Sequence, residues 1–320
     1  MRAQSSGQIG NSLKAFFPTV IKTRSSGYIV SVFLKFLFTF RSRRIIIFCM
    51  PDILNDEEFE KFRKTIYNES GITFSATNRP ILDSRIKELL REHKMESVED
   101  YYRLINSDHE EMKRMLDSVT TNLTRFFRNQ PHFDALINYV VPHILEEKRL
   151  SFDKTIRIWS AGCSTGEEPY TIAMIMKKIL PMGFKFSVTA SDISLKSLMV
   201  GQKGLYAENK VDGIPPDYLA SFFTKTPEGY QINKDIMDCV KFDYHNLKND
   251  SGMRNLDIVF CRNVMIYFDE AAQKVVLDRF WDSMANHSYL FIGHSESLFG
   301  MDTKFEFLKT DWACLYQKKI

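Results

Sequence analysis

Cysteine is scarce in this sequence of 320 residues, and its distribution argues against a covalent or zinc-bound framework. The five cysteines are an odd number, and no two of them form a CxxC pair, so we expect neither a set of disulfides nor a metal centre. A reducing compartment, the cytoplasm, fits this pattern. Long apolar runs are also missing: none reaches the roughly 18 residues that a membrane-spanning helix needs, so no stable membrane insertion is expected.

Acidic residues are absent from the first 49 positions, which carry eight Lys and Arg side chains. The formal charge of +3 therefore combines a basic leader with a remainder of 35 basic and 40 acidic side chains, a net of −5. This acidic body disfavours nucleic acid as a partner. Residues 1–49 are either a targeting peptide or membrane-surface anchor, or a stretch upstream of a true start at Met50. We favour the second interpretation, because the composition changes abruptly at Met50.

Residues 50–133 show helical periodicity, with apolar side chains recurring at intervals of three and four. We predict an all-α N-terminal domain of four or five short helices. Asn55 or Asp56 is suited to cap the first helix, and Ser97 with Asp100 has the pattern of a capped start.

One of these predicted helices, at about 79–93, carries a cluster of basic side chains. The candidates are Arg85, Lys87 and Arg91, of which Lys87 and Arg91 share a face. Such a cluster is either an ordinary solvated surface or a docking face for an acidic protein surface. The sequence alone does not separate the two interpretations.

From residue 134 the pattern changes to alternating strands and helices, which predicts a mainly parallel sheet in a domain over 134–320. A strand is predicted at 155–160, a loop of small residues at 161–166, and a helix at 167–180. Strand, glycine-rich turn and helix begin a doubly wound, Rossmann-like fold. Ligands of such folds bind at the carboxyl ends of the strands.

The loop after this first strand does not have the sequence of a phosphate-binding loop. It contains neither GK[ST] nor GxGxxG, since three residues separate Gly162 from Gly166. Two carboxylates, Glu167 and Glu168, open the following helix and would repel a pyrophosphate. S-adenosylmethionine (SAM) fits, because it carries a sulfonium and an ammonium but no phosphate. Asp192, at the tip of the second predicted strand, is suited to accept both ribose hydroxyls.

Three further strands are predicted at 238–243, 256–261 and 289–293, with an edge hairpin over 304–318. The stretch at about 204–237 interrupts this rhythm with paired prolines and short extended runs. It predicts a small antiparallel β-subdomain inserted into the larger domain. Whether this insertion contacts a partner stays open.

Four motifs occur in order along the chain. They are residues 121–128 (TNLTRFFR), 159–170 (WSAGCSTGEEPY), 260–269 (FCRNVMIYFD) and 293–296 (GHSE). Together they resemble the bacterial chemotaxis-receptor glutamate O-methyltransferases of the CheR type, over about residues 52–318. Residues 1–49 have no counterpart in that family.

The resemblance implies a receptor-facing helical domain, then a SAM-dependent methyltransferase domain with an inserted β-subdomain. It implies SAM as methyl donor and glutamates of methyl-accepting chemotaxis receptors as acceptors, in sensory adaptation; we expect a monomer. The implied cofactor contacts are Asn122, Thr124, Arg128, Glu167, Asp192, Asn246, Leu247, Arg262 and Asn263. Glu168 replaces Glu167 if the helix start is misplaced by one residue. Some members bind a receptor tether peptide with a longer subdomain loop; the short loop at 224–229 argues against tethering.

Methyl transfer to a carboxylate needs no strong base, because glutamate is already ionised at pH 7. It does need a cation that orients the carboxylate, and Arg128 is the candidate. Tyr267 is the second catalytic candidate, through its hydroxyl. Structural roles are favoured for His294 and Glu296. The alternatives are a methyltransferase of the same fold that acts on another protein or a small molecule, and a degenerate enzyme retained as a binding module.

Overall fold

The computed structural model describes residues 53–120 and 122–319. The basic leader at 1–49, the hypothetical start at Met50, and Thr121 of the first motif lie outside the described residues. Among the residues that are described, no helix is long and apolar enough to cross a membrane.

Four helices at the start of the described chain pack around a shared apolar core. They are α1 (Asp56–Ser70), α2 (Arg79–His93), α3 (Val98–Ser107) and α4 (His109–Val119). Asn55 caps α1 by accepting the Glu58 N–H at 2.9 Å, while Glu58 Oε2 accepts the Asn55 N–H at 2.8 Å. Ser97 caps α3 by accepting the Asp100 N–H at 3.2 Å. Both predicted helix starts are therefore confirmed.

A seven-stranded sheet forms the centre of the remaining chain. The strands of the described residues are β1 (Thr155–Ala161), β2 (Lys185–Asp192), β3 (Leu205–Tyr206), β4 (Phe223–Thr226), β5 (Gly229–Ile232), β6 (Val240–Tyr244), β7 (Leu256–Cys261), β8 (Met284–Ile292), β9 (Glu306–Lys309) and β10 (Cys314–Lys318). The large sheet has the order β6-β2-β1-β7-β8-β10-β9. Its first five strands pair in parallel, and β10 is antiparallel to both neighbours. The predicted α/β class and the edge hairpin are confirmed.

Helices precede β1 or connect the strands. They are α5 (Gln130–Ala135), α6 (Val141–Glu147), α7 (Glu167–Ile179), α8 (Leu195–Lys203), α9 (Pro216–Phe222), α10 (Lys234–Met237) and α11 (Glu270–Ser283). A π-helical turn, Leu136–Val140, joins α5 to α6. The predicted domain boundary at residue 133 falls within α5 and stays a prediction. All six residues of β7 are buried, as is typical of a parallel sheet covered on both faces.

A second, three-stranded antiparallel sheet, ordered β3-β5-β4, is inserted between α8 and β6. β4 and β5 form an antiparallel hairpin, so the predicted small antiparallel insertion is confirmed. β3 was not predicted, because two residues are too few to show a period. Gly229 permits its pairing: φ is 142°, and a Cβ would lie 2.3 Å from the Tyr206 carbonyl oxygen.

The four-helix region lies against the carboxyl edge of the large sheet. Ile72, just after α1, pairs with Phe268 in an isolated antiparallel bridge. Asn246 Nδ2, just after β6, donates to the Glu69 carbonyl oxygen at 2.6 Å. These contacts join residues almost 200 positions apart and place the end of α1 over the strand ends.

Candidate active site

A cleft opens at the carboxyl ends of β1, β2 and β7, where the strand order reverses. It encloses roughly 1020 Å³, including its open mouth. Open α/β sheets bind their ligands at such a switch point. The predicted site residues that line the cleft are Asn122, Thr124, Arg128, Asp192, Asn246, Leu247, Arg262, Asn263 and Tyr267.

The floor of the cleft is the loop between β1 and α7. Gly162 has φ of 77°, and a Cβ there would come within 2.4 Å of Val264 Cγ2. The N–H groups of Gly162 and Cys163 both donate to the Ser191 carbonyl oxygen, at 2.8 and 2.9 Å. The loop is thus tied to the end of β2 and leaves no space there for a larger side chain.

Asp192 ends β2 and is only 8% exposed. Its Oδ2 accepts the Ser164 N–H at 2.8 Å, and its Oδ1 accepts the Ser194 N–H at 2.9 Å. Burial raises the pKa of this carboxyl, while the backbone N–H groups oppose the shift. The two bonds fix the carboxylate at the cleft, and its remaining lone pairs are available to hydroxyl donors.

The two adjacent glutamates at the start of α7 have different surroundings. Glu167 is fully buried and does not line the cleft; it contacts Lys210 Nζ at 3.2 Å and accepts the Thr165 hydroxyl at 2.6 Å. Glu168 lines the cleft instead. The helix begins at Glu167 as predicted, but successive side chains on a helix diverge by about 100°. The carboxylate that faces the cleft is therefore that of Glu168, the predicted alternative, whereas Glu167 does not line the cleft; which of the two contacts SAM stays a prediction.

Glu168, whose side chain is 14% exposed, forms an ion pair with the buried Arg262. Arg262 Nη1 lies 3.2 Å from Glu168 Oε2, and Ser160 Oγ donates to Glu168 Oε1 at 2.7 Å. Arg262 Nη2 donates to the Arg128 carbonyl oxygen. Burial raises the pKa of Glu168 and lowers the pKa of Arg262, and each partner opposes the other's shift. The pair compensates two largely buried charges and connects the sheet to the Arg128 loop.

Arg128 has different contacts from Arg262. Its Nη1 donates to the Leu123 carbonyl oxygen at 2.8 Å, within its own loop. Within residues 53–120 and 122–319, no carboxylate forms an ion pair with Arg128, whereas Arg262 is paired with Glu168. Arg128 therefore brings to the cleft a positive charge without an ion-pair partner among these residues, and this charge acts on Glu168 only at longer range.

The loop after β7 brings Asn263 and Tyr267 to the cleft. Asn263 has φ of 60°, a left-handed conformation that asparagine tolerates. Its Oδ1 is buried and has no hydrogen-bond partner among the described residues, and the same holds for Ser164 Oγ and His245 Nε2. Buried polar atoms without partners along a cleft fit a polar ligand with both donors and acceptors, such as SAM.

The contribution of the four-helix region to the cleft was not predicted. Ser70, Ile72 and Val119 line it. Ile72 and Val119 are ordinary apolar residues, so no local pattern marks them. His245 was also not predicted to line the cleft. It directly follows β6, and this position at the carboxyl edge of the sheet, where such folds bind ligands, could have indicated it.

The basic side chains predicted for docking lie on α2 and do not line the cleft. Arg85 Nη1 pairs with Glu88 Oε2 at 3.0 Å on the same helix. The apolar side of α2, which includes Leu82 and Ile86, is buried, and Arg91 is exposed. Their docking role stays a prediction.

Comparison with known proteins identifies the class. The model for "CheR methyltransferase, SAM binding domain" matches residues 122–314, and that for "CheR methyltransferase, all-alpha domain" matches residues 57–120. Fold, cleft and matches together define a SAM-dependent methyltransferase. The chain belongs to the CheR methyltransferase family, which confirms the family, the fold class and the cofactor expected from the sequence.

Relatives agree with this assignment. A chemotaxis protein methyltransferase of Borreliella burgdorferi is 33% identical over 255 residues, which span 77% of this chain and 90% of that protein. One from Escherichia coli is 33% identical over 261 residues, spanning 79% and 88%. The solved SAM-bound magnesium protoporphyrin IX methyltransferase of Synechocystis covers 72% of this chain and 94% of its own at 14% identity. Its TM-score of 0.33 is too low to support an inference.

Proposed function

We propose that the protein transfers a methyl group from SAM to glutamate side chains of methyl-accepting chemotaxis receptors, giving glutamyl methyl esters in sensory adaptation. The family and the methyl donor support the first half of this proposal. The relatives named as chemotaxis protein methyltransferases support the receptor as the acceptor. That the acceptor group is a carboxylate is inferred from the charged side chains that line the cleft.

The observation that carries the proposal is the contrast between two arginines in one cleft. Arg262 is buried and neutralised by Glu168 at 3.2 Å. Arg128 is half-buried, and no ion pair compensates its charge among the described residues. Such a guanidinium at a partly dry site is suited to bind an incoming carboxylate through charge-assisted hydrogen bonds. A neutral acceptor would gain much less from it.

Methyl transfer from SAM to a carboxylate requires little from the protein beyond positioning of the two reactants. SAM supplies an electrophilic methyl group when it is bound. A glutamate carboxylate is ionised at neutral pH and needs no general base. Arg128 would orient that carboxylate, and the Tyr267 hydroxyl would give it a second hydrogen bond. Closure of the cleft over the acceptor would then exclude water and hold the reacting groups in line.

Docking would involve the basic side chains of α2. Arg85, Lys87 and Arg91 would contact an acidic helical surface in the cytoplasmic region of the receptor. The enzyme would act there as a monomer. These exposed contacts would contribute mainly to the rate of encounter. The cleft would select the reacting glutamate.

The direct test is incubation of the protein with tritiated SAM and receptor cytoplasmic domains. We expect base-labile methanol release that depends on receptor glutamates and disappears when they are replaced by alanine. Label in another protein or in a small molecule, with none in the receptor, would favour the alternative acceptors and contradict the proposal.

The same assay tests the role of Arg128. Arg128→Ala should lower receptor methylation by about 100-fold, because charge-assisted hydrogen bonds contribute up to about 3 kcal/mol. Arg149→Ala is the matched control, since Arg149 is exposed and pairs only locally with Glu146 at 3.2 Å. Normal turnover by Arg128→Ala would contradict the assignment.

A further inference from the structure

Glu296 lies just beyond β8, and its carboxylate binds backbone N–H groups of two different loops. Oε2 accepts the Asn263 N–H at 2.9 Å and also the Gly293 N–H. Oε1 accepts the Ile266 N–H at 3.2 Å. One side chain thereby joins the loop after β8 to the loop after β7.

Gly293 makes this arrangement possible. A Cβ at that position would lie 2.5 Å from Glu296 Oε2 and 2.8 Å from the Asn263 backbone nitrogen. Real Cβ atoms do not approach other atoms so closely, so any larger residue would displace the carboxylate or the Asn263 peptide. The glycine and the glutamate of the GHSE motif thus form one structural unit.

The loop that Glu296 binds is the loop that carries two cleft residues. Asn263 sits in the left-handed region, which costs free energy unless neighbouring contacts stabilise it. Its buried Oδ1 has no partner in the described part of the chain and lines the cleft. Tyr267 follows in the same loop, one residue beyond the Ile266 N–H that Glu296 binds.

We propose that Glu296 is a positioning residue: it holds the Asn263–Tyr267 loop so that Asn263 faces the cofactor and Tyr267 faces the acceptor. Its contacts with N–H donors at both ends of the loop define the backbone path between them. The part that concerns Tyr267 rests on the proposed function. The part that concerns Asn263 requires only that the cleft binds SAM. His294, whose side chain is exposed, takes no part in this arrangement.

The test begins with SAM affinity, measured by calorimetry without any receptor. Glu296→Ala should weaken SAM binding about tenfold, because the Asn263 peptide loses its acceptor. Glu296→Gln should recover most of this loss, since one oxygen remains for the Asn263 and Gly293 N–H groups. Gly293→Ala should resemble Glu296→Ala, and His294→Ala should bind SAM like the parent protein. Unchanged affinity in both Glu296→Ala and Gly293→Ala would overturn the proposal.

A double-variant cycle separates positioning from simple stabilisation of the fold. With receptor as substrate, Glu296→Ala should lower turnover about tenfold in the parent protein but less than twofold in a Tyr267→Phe background. Equal losses in both backgrounds would mean that Glu296 does not act through Tyr267, and would overturn that part of the proposal. If the parent protein does not methylate receptors, the proposed function fails, while the affinity measurements still decide the role of Glu296 toward Asn263.

Discussion

Many ion pairs of the four-helix region differ in burial and in sequence separation from the ion pair at the carboxyl edge of the sheet. In the helices, ion pairs such as Lys113–Glu110 at 2.7 Å and Arg103–Glu99 at 3.6 Å join residues three or four positions apart near the surface, although the buried Glu111 also lies 2.8 Å from His93 Nε2, 18 positions away. At the sheet edge, Arg262 is buried, and its partner Glu168, 94 positions away, has a side chain that is 14% exposed. Exposed local pairs contribute little stability, whereas an unpaired buried charge is costly. Substitutions should therefore have very different effects in the two regions.

The largest expected effect concerns the pair of Arg262 and Glu168. Arg262→Met should lower the free energy of unfolding by about 3–5 kcal/mol, because it leaves the largely buried Glu168 without its counter-charge. Urea denaturation measures this loss. Arg103→Met is the matched surface control and should change stability by less than about 0.5 kcal/mol.

A second variant shows whether charge is the cause. Adding Glu168→Gln to Arg262→Met should restore much of the lost stability, because no buried charge then remains. Similar losses for Arg262→Met and Arg103→Met would remove the contrast between the two regions.

The next effect concerns Asp192, a buried carboxyl at the carboxyl edge of the sheet. Asp192→Ala should weaken SAM binding roughly 10- to 100-fold, since hydrogen bonds to a charged group contribute about 1.5–3 kcal/mol. Calorimetry tests this, with the exposed Asp153, paired with Arg157 at 2.6 Å, as the site of the control variant Asp153→Ala. Unchanged affinity in Asp192→Ala would refute a ribose contact.

The third effect is a dependence of stability on pH that arises from the buried His132. Burial, with Arg262 and His294 nearby, lowers the pKa of His132 to about 3. In the unfolded chain the His132 imidazole is protonated below about pH 6.5, whereas in the folded protein it stays neutral until about pH 3. The stability of the folded protein therefore falls as pH drops from 6.5 toward 3. Between pH 7 and 5 we expect a loss of about 2 kcal/mol, measured as urea midpoints.

The matched control for this pH dependence is His143, whose side chain is exposed. His132→Gln should flatten the slope of stability against pH between 7 and 5, whereas His143→Gln should leave it unchanged. An unaltered slope in His132→Gln would show that other groups cause the acid sensitivity.

The smallest effect is expected from the exposed helix surface. Reversing the charges of Arg85, Lys87 and Arg91 to Glu should raise KM for the receptor about tenfold and leave SAM affinity unchanged. The effect should shrink at high salt, because exposed charges are screened. The control reverses two exposed residues of the sheet region, Arg149→Glu with Lys185→Glu. Equal effects of the two sets would argue against α2 as the docking face.

Features with local signals were predicted correctly from the sequence. α2 occupies residues 79–93 as its periodicity indicated, and Asn55 and Ser97 cap helices as their spacing indicated. The start of β8 was placed too late: the strand begins at Met284, not 289. The strand follows α11 directly after Ser283, and its first part is irregular: the pairing with β7 shifts after Met284, and His287 has φ of 58°.

The sequence by itself determined the order of the longer helices and strands, the family, and nine of the residues that line the cleft. These depend on periodicity, capping and motifs, whose physical causes act within a few residues. Only the tertiary structure decided that Glu168 faces the cleft while Glu167 contacts Lys210, that Ile72 lines it, and that Glu296 binds the Asn263 loop. Each of these follows from packing between distant segments, where a rotation of one residue along a helix or one buried hydrogen bond changes which atoms meet.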